Sequence, residues 1–170
     1  MEQVKAGLIG LGAMGSGMAA SLLRAGYELS VFDVRPEAAQ KLVAAGASAC
    51  AGPAELGARC DVVVSVVVNA AQTESVLYSE QGPAAAMRAG SLLVMCSTVD
   101  PNWSVALESR LAERGLLYLD APISGGAAKA ASGQMTMMTA GRPAAYAKAG
   151  GILDAMAAKG DKLGDRAGAG

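Results

Sequence analysis

The chain contains no histidine. That absence removes Ser-His-Asp hydrolysis, His-ligated zinc, and every dehydrogenase whose proton carrier is a His–Asp pair. The Tyr-to-Lys pair of the short-chain dehydrogenases, four residues apart, is missing as well. Tyr27, Tyr78, Tyr118 and Tyr146 are followed at that distance by Val31, Gly82, Pro122 and Gly150. No Lys/Arg cluster forms a stripe, and 14 basic residues nearly balance 15 acidic ones. Nucleic acid and anionic membranes are therefore not implied partners, and a small neutral or anionic metabolite suits the chain better. Cysteine is sparse: Cys50, Cys60 and Cys96 are odd in number and lack metal-ligand spacing. They read as reduced thiols in a cytoplasm, filling small buried gaps, with no metal site. Ala6 to Leu23 carries no charge, but five glycines and two serines dilute it and no cleavage site follows. It reads against both a membrane span and a signal peptide.

What the uncharged stretch does carry is a turn. Gly7-Leu-Ile-Gly-Leu-Gly-Ala-Met-Gly-Ser-Gly-Met18 sets Gly10, Gly12 and Gly15 in dinucleotide-binding spacing. One glycine permits a tight strand-to-helix turn, the second lets backbone approach a pyrophosphate, and the third allows close helix–strand packing. Phosphates would rest on free N–H groups at the helix N-terminus, so Gly10, Leu11, Gly12, Ala13, Met14 and Gly15 are candidate cofactor residues. The flanks agree with this reading. Val4 to Gly10 reads as a short buried strand, and Met14, Met18, Leu22 and Leu23 recur at helical spacing until Gly26 offers a cap. Leu29 to Asp33 reads as a second strand, ending in an acid 18 residues past Gly15. Such an acid accepts hydrogen bonds from the adenosine ribose and repels a 2′-phosphate, favouring NAD over NADP. Val34 and Arg35 follow it, and the arginine leaves NADP open because it can receive that phosphate.

The 170 residues fit one domain with a good core. Pro36 opens a helix over Glu37 to Ala45, stopped by Gly46. A weak strand is expected around Ala47 to Ala51, and a helical turn over Pro53 to Leu56. Asp61 to Val68 is the strongest strand, and its β-branched run indicates burial on both faces, as in a parallel sheet. Helices are expected over Ala70 to Leu77 and, after Gly82-Pro83, up to Arg88. Then come a strand over Ser91 to Cys96, a helix over Pro101 to Arg114 closed by Gly115, and a strand over Leu116 to Asp120. Ala127 to Ser132 can start a helix, Gln134 to Ala140 reads as an added strand, and Arg142 to Lys159 as the last helix. The alternation predicts an α/β, doubly wound, mostly parallel sheet of Rossmann type with its ligand at the strand carboxyl ends. Asp33, Asn69, Thr98 and Asp120 all fall at such ends.

A second glycine-containing turn, Asp120-Ala-Pro-Ile-Ser-Gly-Gly126, follows a strand. Ser124, Gly125 and Gly126 make either a structural turn or a compact anion cradle suited to a carboxylate. Ser97-Thr98 before Asp100-Pro101 is either a helix N-cap or a contact to the nicotinamide side of a dinucleotide.

With these motifs in order, the chain resembles the β-hydroxyacid dehydrogenases, the family that includes the 3-hydroxyisobutyrate and L-threonate dehydrogenases and tartronate semialdehyde reductase. The matching residues are Gly7 to Gly15, Ser97-Thr98 with Pro101, and Asp120 to Gly126 running on through Ala130, Gly133, Thr136, Met138 and Gly141. Val66 to Gln72 and Gly125 to Ala130 look most like the L-threonate branch. The resemblance implies oxidation of a small 3-hydroxy acid with NAD or NADP, a lysine handling the alcohol proton. It implies that Val68, Asn69 and Thr98 line the nicotinamide half and that Ser124, Gly125 and Gly126 grip the substrate carboxylate. It also implies a catalytic lysine just after Gly170, in an all-helical C-terminal domain, so none of the chain's own residues is assigned as catalytic. Lys129, nearest the substrate motif, reads as a solvated side chain, and Lys148, Lys159 and Lys162 have no better claim. Residues 1–159 are thus expected to form the NAD(P)-binding domain and 160–170 a linker. The longer parent is expected to be a cytoplasmic homo-oligomer, and the piece alone inactive. An NADPH-dependent glyoxylate or semialdehyde reductase, or a non-catalytic nucleotide-binding remnant, are the alternatives.

Overall fold

The computed structural model describes residues 5–10, 13–33, 36–50, 53–66, 87, 89–96, 101–113, 115–121, 123–124, 135–141 and 143–164. In them, strands β1 (Ala6–Ile9), β2 (Leu29–Phe32), β3 (Ser48–Ala49), β4 (Val62–Ser65), β5 (Leu92–Met95) and β6 (Leu117–Asp120) lie in the order β3-β2-β1-β4-β5-β6. Every neighbouring pair among these six is parallel. This is the doubly wound order expected from the alternation of elements. β7 (Ile123–Ser124), β8 (Met135–Gly141) and β9 (Ala157–Gly164) extend the sheet beyond β6. The helices are α1 (Ala13–Arg24), α2 (Pro36–Val43), α3 (Pro53–Arg59), α4 (Pro101–Ala112) and α5 (Pro143–Met156).

Sequence chemistry sets the helix ends. α2, α3, α4 and α5 each begin on a proline, whose fixed φ suits the first helical position and whose missing N–H costs nothing there. α1 ends where Gly26, at φ 89°, donates its N–H to Leu23 O at 3.0 Å while Tyr27 donates to Leu22 O at 3.2 Å. That pair of bonds is the left-handed cap that only glycine adopts without strain. The stops expected at Gly46 and Gly115 form in the same way.

Alternation along the strands divides the core in two. Ala6, Leu8, Val62, Val64, Leu92 and Val94 face Met18 and Leu22 of α1, Leu42 of α2 and Ile152 of α5. Ile9, Val63, Leu93, Met95 and Tyr118 face Leu56 of α3 and Leu107 and Leu111 of α4. The parallel sheet is thereby covered on both faces, which is why its strands read as unbroken apolar runs. Each fully buried leucine contributes about 1.5–3 kcal/mol of transfer free energy. Gly7 is the tight point: a Cβ there would stand 2.7 Å from both Cys60 Sγ and Leu56 Cδ2. Only a residue without a side chain lets α3 lie this close to β1.

The added strands show one feature that residue spacing concealed. Leu119 and Asp120 of β6 pair antiparallel with Gly141 and Ala140, and Ile123 and Ser124 of β7 pair with Met137 and Thr136. Both pairings keep one register, so β6 and β7 are one extended run along β8, interrupted next to Pro122, a residue with no N–H to give a ladder. Ala121 turns its own N–H the other way, to Met95 O at 2.8 Å.

The C-terminal segment corrects the sequence reading. The last helix ends at Met156 rather than Lys159, and Ala157–Gly164 pairs parallel with β8, so the expected boundary between domain and linker at 159/160 falls inside a strand. Gly160 and Asp161 have low strand propensity, but the free edge of β8 supplies a backbone ladder that outweighs it. The weak strand expected over Ala47 to Ala51 is the two-residue β3, and the turn at Pro53 to Leu56 is the full helix α3. The helices expected over 70–77 and 127–132 lie outside the described residues. In the stretch expected to run helically to Arg88, only Met87 is described; it has no regular structure and is buried on the α3 and α4 face. Among the described residues, no helix is long and apolar enough to cross a membrane.

Candidate functional site

Because β1 leads by way of α1 to β2 on one side while its other neighbour, β4, is followed by β5 on the far side, the connections from these two adjacent strands run in opposite directions. A crevice opens at such a point in a doubly wound sheet, outside the strand ends. Three described residues of the sequence-predicted set meet there. Gly10, at φ 97°, donates its N–H to Phe32 O at 3.1 Å, closing the tip of β1 onto β2. Asp33 is the next residue after Phe32 and is half-buried, so it stands beside the glycine turn. Gly15 is buried in the first turns of α1, and a Cβ on it would overlap the Gly10 carbonyl oxygen and stand 3.0 Å from the carbonyl carbon. The helix therefore starts in contact with the turn itself. Ala13 and Met14 occupy its first positions. The other wall is begun by Val66, whose N–H reaches Ile9 O at 2.9 Å, and by Cys96, whose N–H reaches Ser65 O at 2.9 Å.

This arrangement fits a dinucleotide. The N-terminus of α1 has N–H groups without intrahelical partners and the positive end of its dipole, directed at the space above β1. The Gly10–Gly15 contact brings that end close enough for backbone to approach a pyrophosphate. Leu11, Gly12, Val34, Arg35, Val68, Asn69, Thr98, Gly125 and Gly126 lie outside the described residues. Ser124 is described as backbone only, on β7 opposite Thr136 and four residues past the end of β6, so the run overhangs the carboxyl edge of the sheet. The structural need for glycine at position 7 was missed, although the residue opens the same motif. A small residue in mid-strand signals a close approach but does not say of what.

The comparisons agree with the geometry. Residues 5–164 match the family described as the NAD binding domain of 6-phosphogluconate dehydrogenase, and the chain belongs to that family. Among its relatives are hydroxyacid dehydrogenases. L-threonate dehydrogenase of Cupriavidus necator is 57% identical over 164 residues, covering 96% of this chain and 55% of the relative. Mouse mitochondrial 3-hydroxyisobutyrate dehydrogenase is 34% identical over 150 residues, covering 88% and 45%. The crystal structure of 3-hydroxyisobutyrate dehydrogenase from Salmonella typhimurium superposes with a TM-score of 0.95 at 40% identity, covering 99% of this chain and 59% of that one. The chain spans about half the length of the curated relatives it matches.

The cysteines are free and buried, as their sparse pattern suggested. Burial pushes the Cys60 thiol up to about 12 against the hydrogen bond from Ser30, and burial followed by the charge of nearby Asp120 pushes Cys96 up to about 12. A raised thiol keeps its proton in the folded chain while the unfolded chain releases it near the ordinary 9.0. The stabilisation is thus fully present below that pH and is lost as pH rises towards 12. Melting followed by circular dichroism should show Tm falling from pH 9 upward, less steeply in Cys96→Ala. Parallel declines would mean that burial does not hold the Cys96 proton. Among the described residues, no group of three or more Cys, Asp or Glu gathers to hold a metal.

Proposed function

We propose that this chain is the cofactor-binding half of an NAD-dependent dehydrogenase acting on small 3-hydroxy acids, with L-threonate as the substrate. The observation that carries the proposal is the Gly10–Gly15 contact with Asp33 one residue beyond the Phe32–Gly10 hydrogen bond. In this reading the N–H groups of Leu11, Gly12, Ala13 and Met14 hold the pyrophosphate, and Asp33, flanked by Val34 and Arg35, accepts from the adenosine ribose hydroxyls. Val68, Asn69 and Thr98 line the nicotinamide half. Ser124, Gly125 and Gly126 hold the substrate carboxylate beside it, as the overhang of β7 supports. Bound NAD supplies the hydride acceptor. The chain's own residues supply position and a fixed field: the α1 dipole neutralises phosphate charge, and the cradle fixes the hydroxy acid by its carboxylate. The names of the curated relatives support L-threonate. Three free, buried thiols support a reducing, cytoplasmic compartment.

Calorimetric titration of the chain with NAD and with NADP tests the cofactor assignment. NAD is expected to bind, and more tightly than NADP by about tenfold, the worth of one charge-assisted contact. Arg35 favours a second reading with NADP, and tighter NADP binding would select it. No heat with either cofactor would overturn the proposal.

A further inference from the structure

At the end of the sheet opposite the glycine turn, a pocket of about 310 Å³ is lined by Lys5, Glu28, Ser30, Ser48, Ala58 and Arg59. Lys5 precedes β1, Glu28 precedes β2, Ser48 opens β3 and Arg59 closes α3. All lie at the amino ends of the strands, whereas Gly10 and Asp33 lie at the carboxyl ends, about 13 Å away along a four-residue strand. The pocket is not part of the crevice.

Its frame is fixed. Asp61 and Val62 donate their N–H groups to Lys5 O at 2.8 and 3.2 Å, the Lys5 N–H reaches Asp61 Oδ2 at 3.1 Å, and Ala6 donates to Glu28 O at 3.0 Å. Arg59 is held by Glu55 at 2.6 Å through Nη2 and donates to Cys50 Sγ at 3.9 Å through Nη1. A guanidinium has five N–H donors, so these contacts leave some for a ligand. Ser30, 8% exposed, and Ser48 are register partners on β2 and β3 and bring two hydroxyls to the pocket. No ion pair joins Lys5 or Glu28 to another described residue. Among the described residues, two cations, one of them also paired with Glu55, and one carboxylate thus border a polar space with Ala58 as its apolar lining.

A simple anion would meet Glu28, and a simple cation would meet Lys5 and Arg59. A molecule with both charges a few ångströms apart satisfies all three groups. The geometry points to a second binding site for a small zwitterion, an α-amino acid whose carboxylate faces Lys5 and Arg59 and whose ammonium faces Glu28.

The test is a set of amide-resolved NMR titrations of the 170-residue chain with L-alanine, acetate and ethylammonium at constant ionic strength. L-alanine is expected to shift the amides of Lys5, Ser30, Ser48 and Arg59 saturably, with Kd of about 1–10 mM, and the single-charge probes to bind about tenfold more weakly. Glu28→Gln and Arg59→Gln change exposed side chains, so the fold should survive, as circular dichroism would verify. Each should weaken L-alanine about threefold to fivefold, the worth of an exposed ion pair. Unmoved amides, acetate binding as well as L-alanine, shifts centred on Gly10 and Asp33, or both variants binding like the parent would each overturn the site.

Discussion

Replacing Gly15 with alanine is expected to abolish measurable NAD binding and to lower Tm by roughly 2–12 °C. The added methyl would overlap the Gly10 carbonyl oxygen, so either the turn or the helix must move. The turn is held by the Gly10 N–H on Phe32 O, and moving it breaks the junction of β1 with β2. The helix is held by Met18, Ala19 and Leu22, all 0% exposed against Leu8, Leu29 and Val31. Withdrawing it opens the core, and overpacking of this kind costs about 1–3 kcal/mol or more. For a domain of this size each kcal/mol is worth roughly 2–4 °C. Binding fails for a separate reason: the N–H groups of the first turn leave the position at which a pyrophosphate can meet them. Calorimetry and a thermal melt on the same sample read both effects. A variant that melts like the parent would show that α1 has room, and one that still binds NAD would remove the Gly10–Gly15 contact from the cofactor site.

Much of this was legible because it is local. A glycine that stops a helix, a proline that starts one, and a β-branched run buried on both faces each act through their own backbone, and Gly26, Pro36 and Val62 to Val64 are where the sequence places them. Asp33 was legible because strand length fixes its distance from the turn. What escaped was non-local. Nothing within Ala157 to Gly164 announces a strand, since what makes it one is the edge of β8, more than fifteen residues upstream. Gly7 is a glycine because of Leu56 and Cys60, about fifty positions away. The pocket at the amino ends needs Lys5, Glu28, Ser48 and Arg59, which only the parallel stacking of three strands brings together. Doubly wound topology does this in general. Its crossovers place residues from successive units at one end of the sheet or the other, so each end becomes a surface of several distant segments.

Asp33 carries the second large effect. Asp33→Asn is expected to weaken NAD binding about tenfold and to bring the two cofactors to roughly equal affinity, with little change in Tm. Asparagine keeps the shape and one acceptor oxygen, so the half-buried position at the end of β2 is still filled. What it loses is the charge. A hydrogen bond to a charged group is worth about 1.5–3 kcal/mol, which corresponds to a factor of roughly ten to a hundred or more in Kd. For NADP the same change removes a repulsion, since carboxylate and 2′-phosphate would share one small region of low screening, so its affinity should rise or hold as that for NAD falls. NAD thus weakens while NADP does not, which separates this role from a general loosening of β2 that would weaken both. Calorimetric Kd values for NAD and NADP on parent and variant read the ratio directly. An unchanged ratio would take Asp33 out of the ribose contact. A ratio that inverts fully would show that Arg35, two residues further on, already stands where a 2′-phosphate can be received.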